Sequence, residues 1–171
     1  MIRYVTLFVL SVFAFGAWAQ TSPPQHQHQA TAATVVDGDK NPELIPDSTA
    51  YRLWLVTVSP SPNATEKQRM FQQAHLSKLQ LTSTADSVQL TAILTEFKSQ
   101  YLSMIARYNE SAKAHGNRAD QKLFLQQLDD LVSSTRAAIA QRLTLEGAAS
   151  IDAHVQGEKS RIHFQTTGGQ Q

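Results

Sequence analysis

Apolar residues recur at helical spacing through most of the chain, and the polar breaks between these runs carry proline, glycine or capping residues. The clearest run is Leu90, Leu94, Phe97, Tyr101, Met104 and Tyr108, which alternate by four and three residues. This is a heptad seam, reinforced by Ile93 and Ile105. Ser83 and Asp86 suit the N-terminus of this helix, and Gly116 suits its C-terminal stop. At 1.5 Å per residue such a helix is a rod on the order of 45 Å long, and it needs a comparably long partner. The partner follows Gly116-Asn117, where Leu125, Leu128, Val132, Thr135 and Ile139 again step by three and four toward Arg142. A short connection forces the two helices antiparallel. The expected fold is therefore all-α: a helical bundle built on a long antiparallel αα-hairpin.

Shorter elements flank the hairpin. Pro46-Asp47-Ser48 announces a first helix, with Tyr51, Trp54, Leu55 and Val58 on one face, and Ser59-Pro60-Ser61-Pro62 ends it. Val56 and Val58 are β-branched, so a short strand is the alternative there. Asn63 with Glu66 three residues later approximates a capping box, which predicts a second helix with Met70, Phe71 and Ala74 on its inner face. Thr144 opens a final helix with Ala148, Ile151, Val155 and Ile162 on one stripe. Gly147 and Gly157 weaken that helix by roughly 1 kcal/mol each relative to Ala, making it the expected mobile element.

The ends read differently. Arg3 followed by the apolar run Tyr4 to Gly16 and by Ala17-Trp18-Ala19 has the layout of a signal peptide cleaved after Ala19. The run is shorter than the roughly 20 residues that span a bilayer, so no membrane span is expected after cleavage. Residues 20–40 read as a flexible leader, 41–164 as the helical domain, and 165–171 as a disordered tail. Export to the periplasm or beyond is expected. The 171 residues include no Cys, which removes disulfides, thiol catalysis and thiolate metal sites. Fifteen Lys and Arg balance fourteen Asp and Glu, so the charge pattern of a nucleic-acid binder is missing.

Candidate chemistry is sparse. Asp37-Gly38-Asp39-Lys40-Asn41 opens like a calcium loop, but Pro42 stands where the loop needs Gly and Ser48 where it needs Glu. A turn is the expected role of that segment. His26-Gln27-His28 is a pair of imidazoles on the leader, an adventitious rather than built site. His154 and Glu158, four apart, share a helix face, and His163 lies on a different turn and direction; a solvated surface is expected. Asp129-Asp130 diverge by about 100° on a helix and do not share a proton. No nucleophile elbow, zinc-protease helix, phosphate loop or dinucleotide glycine pattern occurs. No catalytic residue, cofactor or designed metal site is read from the sequence.

Two resemblances add to this reading. The segments Val36-Asp37-Gly38, Asn41-Pro42-Glu43-Leu44-Ile45-Pro46-Asp47 and Ala50-Tyr51-Arg52-Leu53, with Glu146-Gly147 to Glu158-Lys159, resemble a group of small exported bacterial proteins. That resemblance implies an exported helical domain. Leu81-Thr82 and Leu143-Thr144, each opening a helix, resemble the periplasmic LTxxQ (Spy/CpxP-like) proteins, although Ala85 and Gly147 stand where that motif has Gln. The second resemblance implies an ATP-independent chaperone or a stress-related binding protein. The expectation is then an interaction protein presenting an apolar groove to a protein client, with Tyr51, Trp54, Phe71, Phe97, Tyr101 and Tyr108 as groove candidates unless they are core. A homodimer through the hairpin is the secondary expectation. The alternative is an envelope metal-binding or metal-sensing protein using His26, His28, His154, Glu158 and His163.

Overall fold

The computed structural model describes residues 34–114 and 118–166. The expected signal sequence, His26, His28, Gly116 and the last five tail residues lie outside them. Five α-helices follow in order: α1 (Asp47–Val58), α2 (Glu66–Ser77), α3 (Thr84–Ala114), α4 (Arg118–Arg142) and α5 (Leu145–Glu158). Short 3-10 turns occupy Pro42–Leu44 and Lys159–Arg161. Tyr108 meets Phe124 at one end of α3 while Arg142 reaches Gln89 at the other, so α3 and α4 run antiparallel. The chain is the all-α bundle on a long hairpin that its heptads predict, with α1 packed across the hairpin and against α5.

The core follows the apolar stripes. Leu90, Ile93, Leu94, Phe97 and Met104 of α3 meet Leu128, Leu131, Val132 and Ile139 of α4. Tyr51, Trp54, Leu55 and Val58 of α1 and Ile151 and Val155 of α5 close over them. The strand alternative for α1 fails because Val58 packs at helical spacing with Leu55 and Tyr51. Pro46 is the N-cap rather than the first helical residue, with extended backbone at φ −60°, ψ 140°.

The end of α5 is tied to the start of α1. Lys159 Nζ lies 2.5 Å from Asp47 Oδ1, Gln156 donates to the same oxygen at 3.0 Å, and Arg136 of α4 pairs with Asp47 at 3.6 Å. These partners, the Lys159 bond foremost, hold the Asp47 carboxyl below the usual carboxylate range. Beside them the Tyr51 hydroxyl donates to Asp152 at 2.8 Å, and burial raises its pKa.

Several expectations need correction. Residues 34–37 and 165–166, read as leader and tail, belong to a two-stranded antiparallel pair: β1 (Thr34–Asp37) against β2 (His163–Thr166), in register from Thr34↔Thr166 to Asp37↔His163. Distant segments pair here, so no local signal announced the ladder. The capping box of α2 is Thr65 with Gln68, two residues beyond the Asn63 and Glu66 expected. Met70, Phe71 and Ala74 do not form the inner face of α2: all three are exposed, and no α2 residue is buried. Gln72, His75 and Leu76 turn inward instead.

Gly147 is a packing requirement rather than a weakness. A Cβ there would sit 2.4 Å from Asp86 Oδ2. That carboxylate, 4% exposed at the start of α3, accepts from the backbone N–H of Thr144 at 2.9 Å and from its hydroxyl at 2.5 Å. The Thr144 hydroxyl oxygen in turn accepts from Gly147 N–H at 3.1 Å, so α5 is capped and locked to α3 at one point. With Ile151 and Val155 both at 0% exposure, α5 is firmly packed, and α2 is the loosely held helix.

Candidate metal centre

Packing around α5 fixes which of its side chains face α2. Ile151 and Val155 point into the core, which turns His154 and Glu158 to the flank of the helix, both half-buried. The Ser150 hydroxyl of α5 donates to the carbonyl of Leu79, holding the α2–α3 connection against α5 across 71 residues of sequence. On α2, Gln72 Nε2 donates to the Ser59 carbonyl at 3.0 Å, and Leu76 packs on the core. These two anchors leave His75, between them on the helix, facing α5.

His75, His154 and Glu158 thus converge, each offering one ligand atom, with the three atoms within 4.8 Å of one another. Both histidines leave a nitrogen unsatisfied: His75 Nδ1 and His154 Nε2 are shielded from solvent with no hydrogen-bond partner. Trp54 Nε1 and Ser59 Oγ are the other two such atoms among the described residues, so half of them fall in this one cluster. Each unpaired buried polar atom costs about 1–3 kcal/mol. A cation with a filled coordination shell would satisfy both at once.

The electrostatics favour the ligating form. Burial pushes both imidazoles below their usual value of 6.5, and the nearby Lys78 ammonium adds to the shift at each. Glu158 opposes the shift at His154, with its Oε1 3.9 Å from His154 Nε2. The carboxylate also holds Arg161 at 2.6 Å, an i,i+3 pair whose arginine is 63% exposed. Exposed pairs of this kind are worth at most about 1 kcal/mol, so Arg161 yields readily to a stronger cation.

Neutral imidazoles and a carboxylate suit a first-row divalent ion such as zinc. A tetrahedral zinc with bonds of about 2.0–2.1 Å brings its ligands to about 3.3 Å apart, so side-chain rotations on the order of 1 Å complete the set. Two His and one Glu leave a fourth position for water.

The other convergent group, Asp37, Asp39 and His163, is built differently. His163 Nδ1 lies 3.0 Å from Asp37 Oδ1 and its Nε2 3.9 Å from Asp39 Oδ2, so both nitrogens already face carboxylates. Lys40 pairs with Asp37 at 3.5 Å, and Asp39 N–H donates to the Asp37 carboxylate at 3.1 Å, the turn expected of this segment. This exposed arrangement is an ion-paired clip at the end of the strand pair. His163 therefore stands apart from His154 and Glu158, as its spacing predicts, but the solvated surface expected for those two is replaced by a half-buried cluster.

The groove candidates separate. Tyr51, Trp54 and Phe97 are 2%, 5% and 1% exposed, which makes them core and removes them as groove residues. Tyr101 is half-buried and stacks on Phe97 with centroids 5.8 Å apart. Phe71 is exposed on α2, its ring 4.5 Å from the imidazole of His75. Tyr108 lines a 200 Å³ groove on the distal hairpin with Met104, Leu123 and Phe124. The six do not share one groove. Sequence reasoning missed His75 altogether, because its i,i+4 neighbour Phe71 is exposed and no local pattern marks the face of α2 that turns inward.

No protein-family model matches this chain, and neither the curated proteins nor the solved structures yield a match to it. Among the described residues, no helix is long and apolar enough to cross a membrane.

Proposed function

We propose that this chain is an exported helical protein that binds a divalent transition-metal ion through His75, His154 and Glu158. The observation that carries the reading is the pair of solvent-shielded, unpartnered imidazole nitrogens beside a carboxylate, drawn from two helices distant in sequence. The leader residues His26 and His28 are not needed for it. The apolar, small-x-small N-terminus supports export.

Calorimetric titration of chelator-treated protein with zinc tests this directly. One ion per chain is expected, and cobalt in its place should give the visible absorption of a four-coordinate site. His75→Ala, His154→Ala and Glu158→Gln each remove a ligand and should weaken binding by more than about 100-fold, beyond the 10–100-fold typical of lost supporting contacts. His26→Ala with His28→Ala should leave the tight site unchanged. Retention of full affinity in all three ligand variants would refute the reading.

A second reading concerns the distal hairpin. Leu102, Leu123 and Leu125 are 39%, 54% and 43% exposed, and the seam residues Tyr101 and Tyr108 are incompletely covered. A heptad seam that runs beyond its partners favours another helix pair, and the occupant proposed is the hairpin of a second copy. Sedimentation should show a dimer that Leu123→Glu with Leu125→Glu converts to monomer. A monomeric parent protein at high concentration would end this reading.

A further inference from the structure

We infer that a metal ion at His75, His154 and Glu158 acts as a clasp, so that occupancy of the centre regulates whether α2 is docked on the bundle or released. The inference rests on the metal-binding reading above and adds the response to it.

The argument begins with how little holds α2. Its twelve residues include none that is buried, and Met70 and Phe71 are 63% and 51% exposed. A helix of this length is marginal in water without tertiary support, even with the capping box of Thr65 and Gln68. Support comes from the Gln72 bond to Ser59 and from the partial burial of Leu76. The segment is nevertheless pinned at both ends. Ala64 is 7% exposed before it and Leu79 1% exposed after it, with the Leu79 carbonyl held by Ser150. Such a segment can open between fixed points while the α3–α4 core stays folded.

The centre straddles that opening. His75 is the one ligand on α2, and His154 and Glu158 both belong to α5. Opening α2 carries His75 away and dismantles the set, so an ion that needs all three ligands binds the closed form alone. At the C-terminal end of α2 lies an open 260 Å³ pocket lined by Leu76 and Ser77 of α2, by Leu79 and Leu81 of the connection, and by Leu90 and Leu94 of α3. Release of α2 withdraws Leu76 and widens this pocket along Leu81 and the adjoining edges of Leu90 and Leu94. The ion-free protein therefore presents apolar surface that the loaded protein covers, which converts occupancy into a change of surface.

Hydrogen–deuterium exchange on the full chain reads this out, with chelator-treated protein compared with protein in free zinc at 100 times the dissociation constant. Without zinc, amides of α2 should exchange far faster than those of Leu90–Met104. With zinc, the open population falls by the factor one plus the ratio of free zinc to dissociation constant, so α2 exchange should slow by about 100-fold. His75→Gln, which keeps size and polarity, should leave α2 fast at any zinc concentration. A zinc titration on the same samples keeps the two ideas separable. No binding would sink the metal reading itself. Binding with α2 exchange unchanged, α2 as slow as the core before zinc is added, or slowing that persists in His75→Gln would each overturn the clasp alone.

Discussion

Replacing Gly147 with alanine should destabilise the protein, although helix propensity alone predicts the reverse. Gly147 lies in the first turn of α5, where Ala is favoured over Gly by up to about 1 kcal/mol. The added Cβ would stand 2.4 Å from Asp86 Oδ2, 2.9 Å from Asp86 Cγ and 3.3 Å from Thr144 Oγ1. These are not the free end of a flexible side chain. Asp86 is held by both the backbone N–H and the hydroxyl of Thr144, and Thr144 by Gly147 N–H. Making room for the methyl breaks at least one bond to a buried carboxylate, a loss of about 1.5–3 kcal/mol. Loss of the α5 cap adds about 1 kcal/mol. Against the propensity gain, the net expectation is a loss of about 1.5–3 kcal/mol, read as a lower urea midpoint at unchanged slope. Gly157→Ala is the internal control, since nothing lies within 4 Å of its missing Cβ; it should be neutral or stabilising by up to about 1 kcal/mol. If Gly147→Ala were as stable as Gly157→Ala, the lock between α3 and α5 would not be under the constraint described.

Three further outcomes are expected. Asp47→Asn should cost about 1 kcal/mol at neutral pH, kept small by the exposure of the carboxylate, because Lys159 loses its partner. The folded-state pKa of Asp47 lies below the unfolded value of 3.8, so its contribution is complete above about that pH and disappears as acid titrates the folded carboxyl; the gap between variant and parent should therefore close below about pH 4 in acid unfolding. Phe97→Ala should cost about 3–5 kcal/mol, whereas Phe71→Ala should cost no more than about 0.5 kcal/mol, and equal costs would contradict the division of the aromatics into core and surface. Thr65→Ala removes the half of the capping box in which the Thr65 hydroxyl accepts from Gln68 N–H and should cost about 1 kcal/mol, with the increase in amide exchange confined to α2.

What the sequence makes legible depends on how local the determining contacts are. The seam of α3 and α4 repeats one apolar period over many turns, so each residue restates the same face, and Leu90, Leu94, Phe97, Val132 and Ile139 all reach the core. α1 is readable from Tyr51, Trp54, Leu55 and Val58 on one helical face, although the β-branched Val56 and Val58 leave a short strand as the alternative. α2 misleads because its apolar residues are few and split between faces: Gln72, His75 and Leu76 turn toward the bundle while Met70 and Phe71 face out. The β1–β2 pair and the Asp86–Thr144 lock join segments far apart in the chain, and nothing near either half announces the other. The candidate centre divides the same way. His154 and Glu158 are visible as an i,i+4 pair on one helix, whereas His75 reaches them through the packing of α2 near α5.

The central claim is that His75, His154 and Glu158 form one metal site. Anomalous diffraction at the zinc edge, from crystals of the full chain grown with equimolar zinc, tests it most directly. The account predicts a single strong peak about 2 Å from one nitrogen of each histidine and from a carboxylate oxygen of Glu158. A peak confined to the Asp37–Asp39–His163 clip or to the leader histidines, or no peak between α2 and α5, would contradict it.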